Sequence, residues 1–233
     1  MTITYSRRHA LWLSAGLLVA CRDRRSAADA SAPVPNGMPP AGPLPGVLSA
    51  SPPVAAPVSD GATPSCIETH ANIEGPYYRA GAPARASLVD PGMPGTPIDI
   101  EGRVTGLDCA RGIKDVELDV WHATHDGHYD NDGTMHLGRE RYLLRGRLRT
   151  DADGRFRVST IVPGRYLNGP QYRPAHVHVK VRAAGFAELT TQLYFPGDPY
   201  NDVDPFIHRS LVMGLERARD RMLGRFDFVL RNA

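Results

Sequence analysis

Arg173-Pro174-Ala175-His176-Val177-His178-Val179-Lys180-Val181-Arg182 is the most informative stretch of the chain. From Ala175 to Arg182 it reads as a β-strand, whose successive side chains point to opposite faces. His176 and His178 stand two apart, so both imidazoles project from one face of the sheet. Two neutral nitrogen donors on one face make a metal half-site. Arg173 lies three residues before His176, across a proline, and Tyr166 lies ten before it, after the turn Pro163-Gly164.

Outward from that strand, short apolar-polar runs recur between turn signals. Ile98 to Thr105, Val116 to His122, Tyr142 to Arg149, Arg155 to Ile161 and Leu189 to Phe195 also read as strands. Asp153-Gly154, Pro163-Gly164 and Asn168-Gly169 punctuate them. Regular short strands with Gly and Pro turns predict an all-β fold, a β-sandwich of mostly antiparallel strands. One helix is expected, Ser210 to Met222, followed by a last strand from Arg225 to Leu230.

The chain has 233 residues and a formal net charge of +2, with basic residues scattered among acidic ones. No nucleic-acid footprint results. Arg141 to Arg149 is locally basic, but it alternates with apolar residues and reads as a strand with solvated arginines. Residues 1–21 read as an export signal. Arg7-Arg8 matches a twin-arginine signal, and the apolar run Ala10 to Ala20 is too short for a mature membrane span. The end of that run, Leu18-Val19-Ala20-Cys21, resembles the lipobox of bacterial lipoproteins, which implies lipidation at Cys21. The expected location is the periplasm or cell envelope, with the lipid anchor as the sole membrane contact. Residues 22–65 are rich in Ala, Pro and Ser and lack the apolar surface to offset the entropy of ordering. They form a semi-extended tether with a reach on the order of 100 Å. Residues 66–233 are the folded domain. With Cys21 lipidated, Cys66 and Cys109 remain as an even pair, and an oxidising compartment favours a disulfide between them over two buried thiols.

The metal half-site needs further donors. A cupin expects a glutamate soon after its His-x-His, and here the next carboxylate is Glu188, beyond a glycine turn. A zinc hydrolase needs a third histidine or a carboxylate at suitable spacing, and none is evident. Tyr166, after its turn, and Tyr129, at the end of Thr124 to Tyr129, could complete the set. Spacing alone does not prefer Tyr129 over Tyr142 or Tyr172. A phenol with a pKa near 10 is a poor ligand at neutral pH unless a highly charged cation stabilises the phenolate. Two phenolates and two imidazoles would suit ferric iron above zinc or copper. His122, His125, His128 and His136 flank Tyr129 and read as loop histidines.

Ordered motifs resolve the choice by resemblance. Glu74-Gly75-Pro76-Tyr77-Tyr78, Val120-Trp121-His122-Ala123 and Gly127-His128-Tyr129 come first. Asp151 to Gly154 before Phe156, Pro163-Gly164-Arg165-Tyr166 and Arg173 to Val179 follow. Thr191-Gln192-Leu193-Tyr194-Phe195, Gly197-Asp198-Pro199 and Arg225 to Leu230 complete the series. From about residue 66 to the end, the chain resembles the intradiol ring-cleavage dioxygenases, nearest to the protocatechuate 3,4-dioxygenase β chain.

The resemblance implies a mononuclear non-haem Fe(III) held by Tyr129, Tyr166, His176 and His178. It implies a catechol-type diol (catechol, protocatechuate or hydroxyquinol-like) as substrate, O2 as co-substrate and a cis,cis-muconate-type product. Tyr166 would be the axial ligand that takes up a substrate proton. Arg173 would stabilise negative charge on the ring, Gln192 would orient Arg173, and Gly75, Pro76 and Tyr77 would line the substrate entrance. The loop from Tyr166 to Arg173 is shorter than in the protocatechuate enzymes, which leaves the diol open. Those enzymes pair two different chains, so a second subunit and a homo-oligomer are both compatible with the sequence. The competing reading is a non-catalytic envelope module that binds aromatic ligands on the same sandwich.

Overall fold

The computed structural model describes residues 66–233. The expected signal segment, Cys21 and the tether lie outside the described residues. Eleven strands follow in order: β1 Pro97–Gly106, β2 Glu117–His122, β3 Arg145–Arg149, β4 Arg155–Ile161, β5 Leu167–Asn168 and β6 Gln171–Tyr172. Then come β7 His176–Arg182, β8 Leu189–Tyr194, β9 Gly214–Arg217, β10 Met222–Arg225 and β11 Phe228–Leu230. The predicted all-β sandwich is what the chain forms. One sheet runs β3-β2-β7-β8 and is antiparallel throughout. In the other, β1 pairs antiparallel with β4, while its opposite edge is shared in series by β10 and β11, both parallel to it. β9 pairs antiparallel outside β10.

Alternation decides which side of each strand is dry. Val177, Val179 and Val181 of β7 face Leu118 and Val120 of β2, Ile98, Ile100 and Val104 of β1, Phe156 and Val158 of β4, and Phe228 of β11, all buried in one cluster. Each such side chain contributes roughly 1.5–3 kcal/mol when fully buried. The residues between the valines of β7 therefore point out of the sandwich. That outer face carries His176, His178, Lys180 and Arg182.

The edge shared by β10 and β11 depends on one glycine. A Cβ at Gly102 would stand 1.7 Å from the Phe226 carbonyl oxygen. With none there, the Phe226 N–H reaches Glu101 O at 3.1 Å, and Asp227 Oδ1 accepts the Arg103 N–H at 2.7 Å. The chain thereby crosses from β10 to β11 without orphaning β1.

The expected helix over Ser210 to Met222 does not form. Its place is taken by a 3-10 turn, Arg209–Leu211, then β9 and β10. Leu211 and Met213 are buried while Gly214 is exposed, and Val212 and Leu215 are half-buried. Gly214 weakens a helix interior, and β1 offers an open ladder to Met222–Arg225, so pairing wins over local helical spacing. The last predicted strand likewise divides, Arg225 ending β10 and Phe228–Leu230 forming β11. β3 starts at Arg145, later than the expected Tyr142.

Cys66 and Cys109 are joined by a disulfide, with Cα atoms 5.6 Å apart. The bond starts a strap, residues 66–75, laid over the edge of β8. Asn72 N–H donates to Thr190 O at 2.8 Å, Thr191 Oγ1 to His70 O at 2.8 Å, and Gln192 Nε2 to Ile73 O at 2.7 Å.

Candidate active site

The candidate residues gather on the outer face of the β3-β2-β7-β8 sheet, beneath the strap and three loops. Register brings Arg145, Trp121, His178 and Gln192 into one cross-strand row, and pairs His176 with Tyr194. Trp121 stacks on the His178 ring at 4.7 Å, with the planes 7° apart. His176 and His178 are each 2% exposed.

Tyr129 enters from the β2–β3 connection. That loop is fixed by Thr124 N–H to His128 O (2.8 Å), Gly164 N–H to Thr124 O (2.7 Å) and Tyr129 N–H to Asp132 Oδ2 (3.0 Å). Tyr166 sits at the mouth of the β5–β6 hairpin, where its carbonyl accepts the Arg173 N–H at 2.9 Å. The rings of Tyr129 and Tyr166 meet edge-on at 5.5 Å, and those of Tyr166 and His176 at 5.7 Å. Tyr129, Tyr166, His176 and His178 thus converge. Tyr142 does not join them: its hydroxyl donates to Ala80 O, and the Arg79 guanidinium lies over its ring. Tyr172 packs beside Tyr200 on the outside of the hairpin.

The protonation states follow from burial. His176 Nδ1 lies 2.6 Å from the Pro174 carbonyl, which can only accept, so Nδ1 carries the proton and Nε2 keeps its lone pair. Burial, then the Arg173 charge, pushes the His176 pKa down to about 3 despite that bond. Burial and the neighbouring His176 hold His178 well below the ordinary range as well. Both rings are neutral donors at physiological pH. Burial, with Tyr166 adding to it, pushes the Tyr129 phenol up, against a partial pull from Arg173 and Arg145.

These atoms fit a bound cation. The two Nε2 atoms are 3.1 Å apart. Two nitrogens bound at about 2.1 Å with roughly a right angle between them stand about that far apart. Tyr129 Oη is buried without a hydrogen-bond partner, a state rare in native structures unless a bound group explains it. Among the described residues, no group of three or more His, Cys, Asp and Glu side chains is placed to hold a metal. The groups that stand beside the pair are the phenols of Tyr129 and Tyr166. A cation of high charge is what turns such phenols into phenolates.

Arg173 is 3% exposed and lies beside this cluster. Its Nη2 donates to Gln192 Oε1 and to Tyr194 Oη, each at 3.0 Å, and its Nε to Asp204 Oδ2 at 2.7 Å. Burial opposes its charge, but the Asp204 carboxylate and the Tyr194 and Tyr166 phenols hold its pKa above the usual arginine value. Gly75, Pro76 and Tyr77 cross the same face. A Cβ at Gly75 would meet His178 Cε1 at 3.3 Å, and φ there is +74°, a conformation that suits glycine. The Tyr77 ring stacks on Tyr129 at 4.4 Å and meets Tyr166 edge-on at 5.7 Å. A surface groove of about 750 Å3 between Arg103, Arg149 and Phe226 includes no candidate residue.

The structure adds residues that sequence reasoning misses. Asp204 and Tyr194 grip Arg173. Arg145, expected as a solvated strand arginine, is 1% exposed and forms a buried pair with Asp130, Nη2 to Oδ1 at 2.6 Å. Asp130 also takes Arg79 at 2.8 Å. His122 is not a loop residue but the buried end of β2, its ring between Ala123 O and Thr160 Oγ1. His128, by contrast, is part-exposed and bonded to Asp132.

The family model described as "Dioxygenase" matches residues 73–233. The chlorocatechol 1,2-dioxygenase of Cupriavidus pinatubonensis (strain JMP 134 / LMG 1197) is 39% identical over 160 residues, covering 60% of this chain and 57% of that protein. The protocatechuate 3,4-dioxygenase β chain of Burkholderia cepacia is 36% identical over 139 residues, covering 57% of each. The chain thus spans somewhat more than half the length of such curated relatives. Among solved structures, the dioxygenase domain of a dioxygenase carbohydrate-binding protein fusion from Streptomyces sp. SirexAA-E superposes with a TM-score of 0.63 at 41% identity. That match covers 72% of this chain and all of the other. The 3-chlorocatechol 1,2-dioxygenase of Rhodococcus opacus 1CP gives a TM-score of 0.65 at 28% identity, over 71% of this chain and 73% of that one. With the match of residues 73–233 and relatives of this kind, the chain belongs to the intradiol dioxygenase family.

Proposed function

We propose that the protein cleaves a catechol-type diol with O2 between its two hydroxyl-bearing carbons, giving a cis,cis-muconate-type product. The observation that carries the reading is the convergence of two neutral imidazoles and two phenols beside a buried arginine. Tyr129, Tyr166, His176 and His178 would hold a mononuclear non-haem ferric ion. When bound, that ion supplies a Lewis acid that binds the diol as its dianion and draws electron density from it, which primes the ring for oxygen.

The chain's own residues supply the rest. The diol must lose two protons as it binds: the Tyr166 phenolate oxygen takes one of them, acting as an internal base, and the other passes to solvent. Tyr129 stays in place, packed between Tyr77 and Tyr166. Trp121 stacks on His178 and Pro174 O bonds His176, so both rings keep their Nε2 atoms directed at one point. Arg173 Nη1, buried and without a partner, is the donor left for negative charge that develops on the ring. Gly75 leaves room against His178, and Pro76 and Tyr77 contact the diol.

The test is optical and kinetic. Ferric protein should be reddish from tyrosinate-to-iron charge transfer and should consume O2 with at least one of catechol, protocatechuate and hydroxyquinol. Tyr166→Phe should retain iron and lower kcat about 10²-fold or more. A colourless, iron-loaded preparation without O2 uptake would sink the reading. We further propose that the protein works in the cell envelope, held by lipid on Cys21 through the segment 22–65.

A further inference from the structure

Arg173 carries five N–H donors in a rigid plane. Nε donates to Asp204 Oδ2 at 2.7 Å. Nη2 donates to Gln192 Oε1 at 3.0 Å, to Tyr194 Oη at 3.0 Å and to Asp204 Oδ1 at 3.4 Å. Nη1 alone has no partner, although it is buried. The Phe206 ring covers one face of the guanidinium at 4.8 Å. Asp204 is the one anion in this grip and is itself 6% exposed. Its carboxylate is immobilised in turn, since Oδ1 accepts the Phe206 N–H at 2.8 Å and its own N–H is bonded to Tyr200 O at 3.0 Å.

A guanidinium bound side-on by one carboxylate has its plane fixed and one terminal nitrogen left over. Gln192 and Tyr194 cannot set that plane alone, because both act at Nη2 and would leave Arg173 free to pivot about it. The bond at Nε removes the pivot. From these contacts we propose that Asp204 is a positioning residue for the ring-cleavage reaction: it locks the Arg173 guanidinium so that Nη1–H faces the diol. Asp204 touches neither substrate nor metal in this scheme and acts through Arg173. The inference rests on the dioxygenase reading given above.

A double-mutant cycle decides the point, with Asp204→Asn, Arg173→Gln and the two combined in the full-length ferric protein. Asp204→Asn should keep the charge-transfer band and lower kcat about 100-fold, with KM changed less than about threefold. In the Arg173→Gln background, adding Asp204→Asn should change kcat less than about twofold, because the group it acts through is gone. Additive losses, or an Asp204→Asn enzyme with unchanged kcat, would overturn the proposal. Should the single variant lose its fold because Arg173 is left buried and unpaired, the double variant should recover it. In that event, kcat of the double variant equal to that of Arg173→Gln supports the proposal, and a further drop refutes it.

A second readout separates this inference from the activity. In gallium(III)-loaded protein, hydrogen exchange at Arg173 Nε–H, followed by NMR, should quicken at least tenfold in Asp204→Asn. Unchanged protection overturns the locking role even if the enzyme is active. Protection that depends on Asp204 in a protein inactive towards all three diols places the failure in the dioxygenase reading instead.

Discussion

A histidine on the outer face of a sheet would ordinarily be solvated, yet His176 and His178 are sealed by Trp121, Tyr77, Tyr129 and Tyr166. At the residue scale, that sealing strips the imidazoles of protons and leaves two neutral nitrogens for the cation proposed above. His122 feels the same burial without serving the site. Burial lowers its pKa to about 4, although the Ala123 carbonyl bond favours the cation, and the Arg145 charge adds to the lowering. The unfolded chain binds this proton near pH 6.5, and the folded one binds it only near pH 4. The contribution of neutral His122 is therefore complete above pH 6.5 and is lost as pH falls towards 4, by roughly 3 kcal/mol over the interval. His122→Gln, which can still bond Thr160 Oγ1, should flatten the urea midpoint between pH 7 and pH 4.5 relative to the parent. Parallel pH profiles for the two proteins would show that His122 is not the group responsible. The two histidine ligand candidates were legible in the sequence from their spacing, and the tyrosines from ordered motifs. Asp204, Asp130 and the burial of Arg145 were not. Asp204 lies 31 residues from Arg173, and no local pattern announces an ion pair closed across two intervening strands.

At the element scale, the seven strands expected up to Leu230 are recognisable because short runs of β-forming residues are set apart by Gly and Pro turns. The missing helix shows the limit of that reasoning. Residues 210–222 carry a pattern that is compatible with a helical face, but the open edge of β1 at Ile98–Glu101 demands a hydrogen-bonding partner. A ladder that joins residues more than 120 positions apart cannot be read from a local window. The strap is a second element of this kind. It touches the site through Ile73 O on Gln192 and Asn72 Nδ2 on Phe206 O (2.7 Å), and Glu74 pairs with Lys180. Its start is pinned by Cys66–Cys109. Closing a loop between residues 43 apart stabilises a fold by about 2–4 kcal/mol, chiefly through the unfolded chain. Reduction, or Cys66→Ala with Cys109→Ala, should lower the unfolding free energy by that amount. It should also speed hydrogen exchange at Thr69 and Asn72 before the amides of β7. Loss of stability without faster exchange in the strap would mean that its own hydrogen bonds suffice to hold it.

For the whole molecule, the sandwich serves as a scaffold: one face of the β3-β2-β7-β8 sheet builds the core and the other builds the site. The ends of the described residues are tied into that scaffold. Cys66 N–H donates to Leu107 O at 2.9 Å, and the β11 residues Phe228, Val229 and Leu230 pair with Val104, Thr105 and Gly106. Ala233 N–H reaches Gly185 O at 3.0 Å. Every strand among the described residues, every candidate metal ligand, Arg173 and the disulfide lie within residues 66–233. The sequence places the boundary at that point on composition alone, since residues 22–65 hold few large apolar side chains. If the division is physical, a fragment of residues 66–233 should unfold in one cooperative transition, with a Tm within about 3 °C of the full chain, a shift worth about 1 kcal/mol for a protein of this size. It should bind ferric iron with the same visible band. It should also remain in the soluble fraction of cells that retain the full chain on membranes, as should the full chain carrying Cys21→Ser. A fragment that melts much earlier would show that residues before Cys66 stabilise the sandwich. Membrane retention of Cys21→Ser, with the fragment soluble, would move the anchor from the cysteine to the apolar run before it.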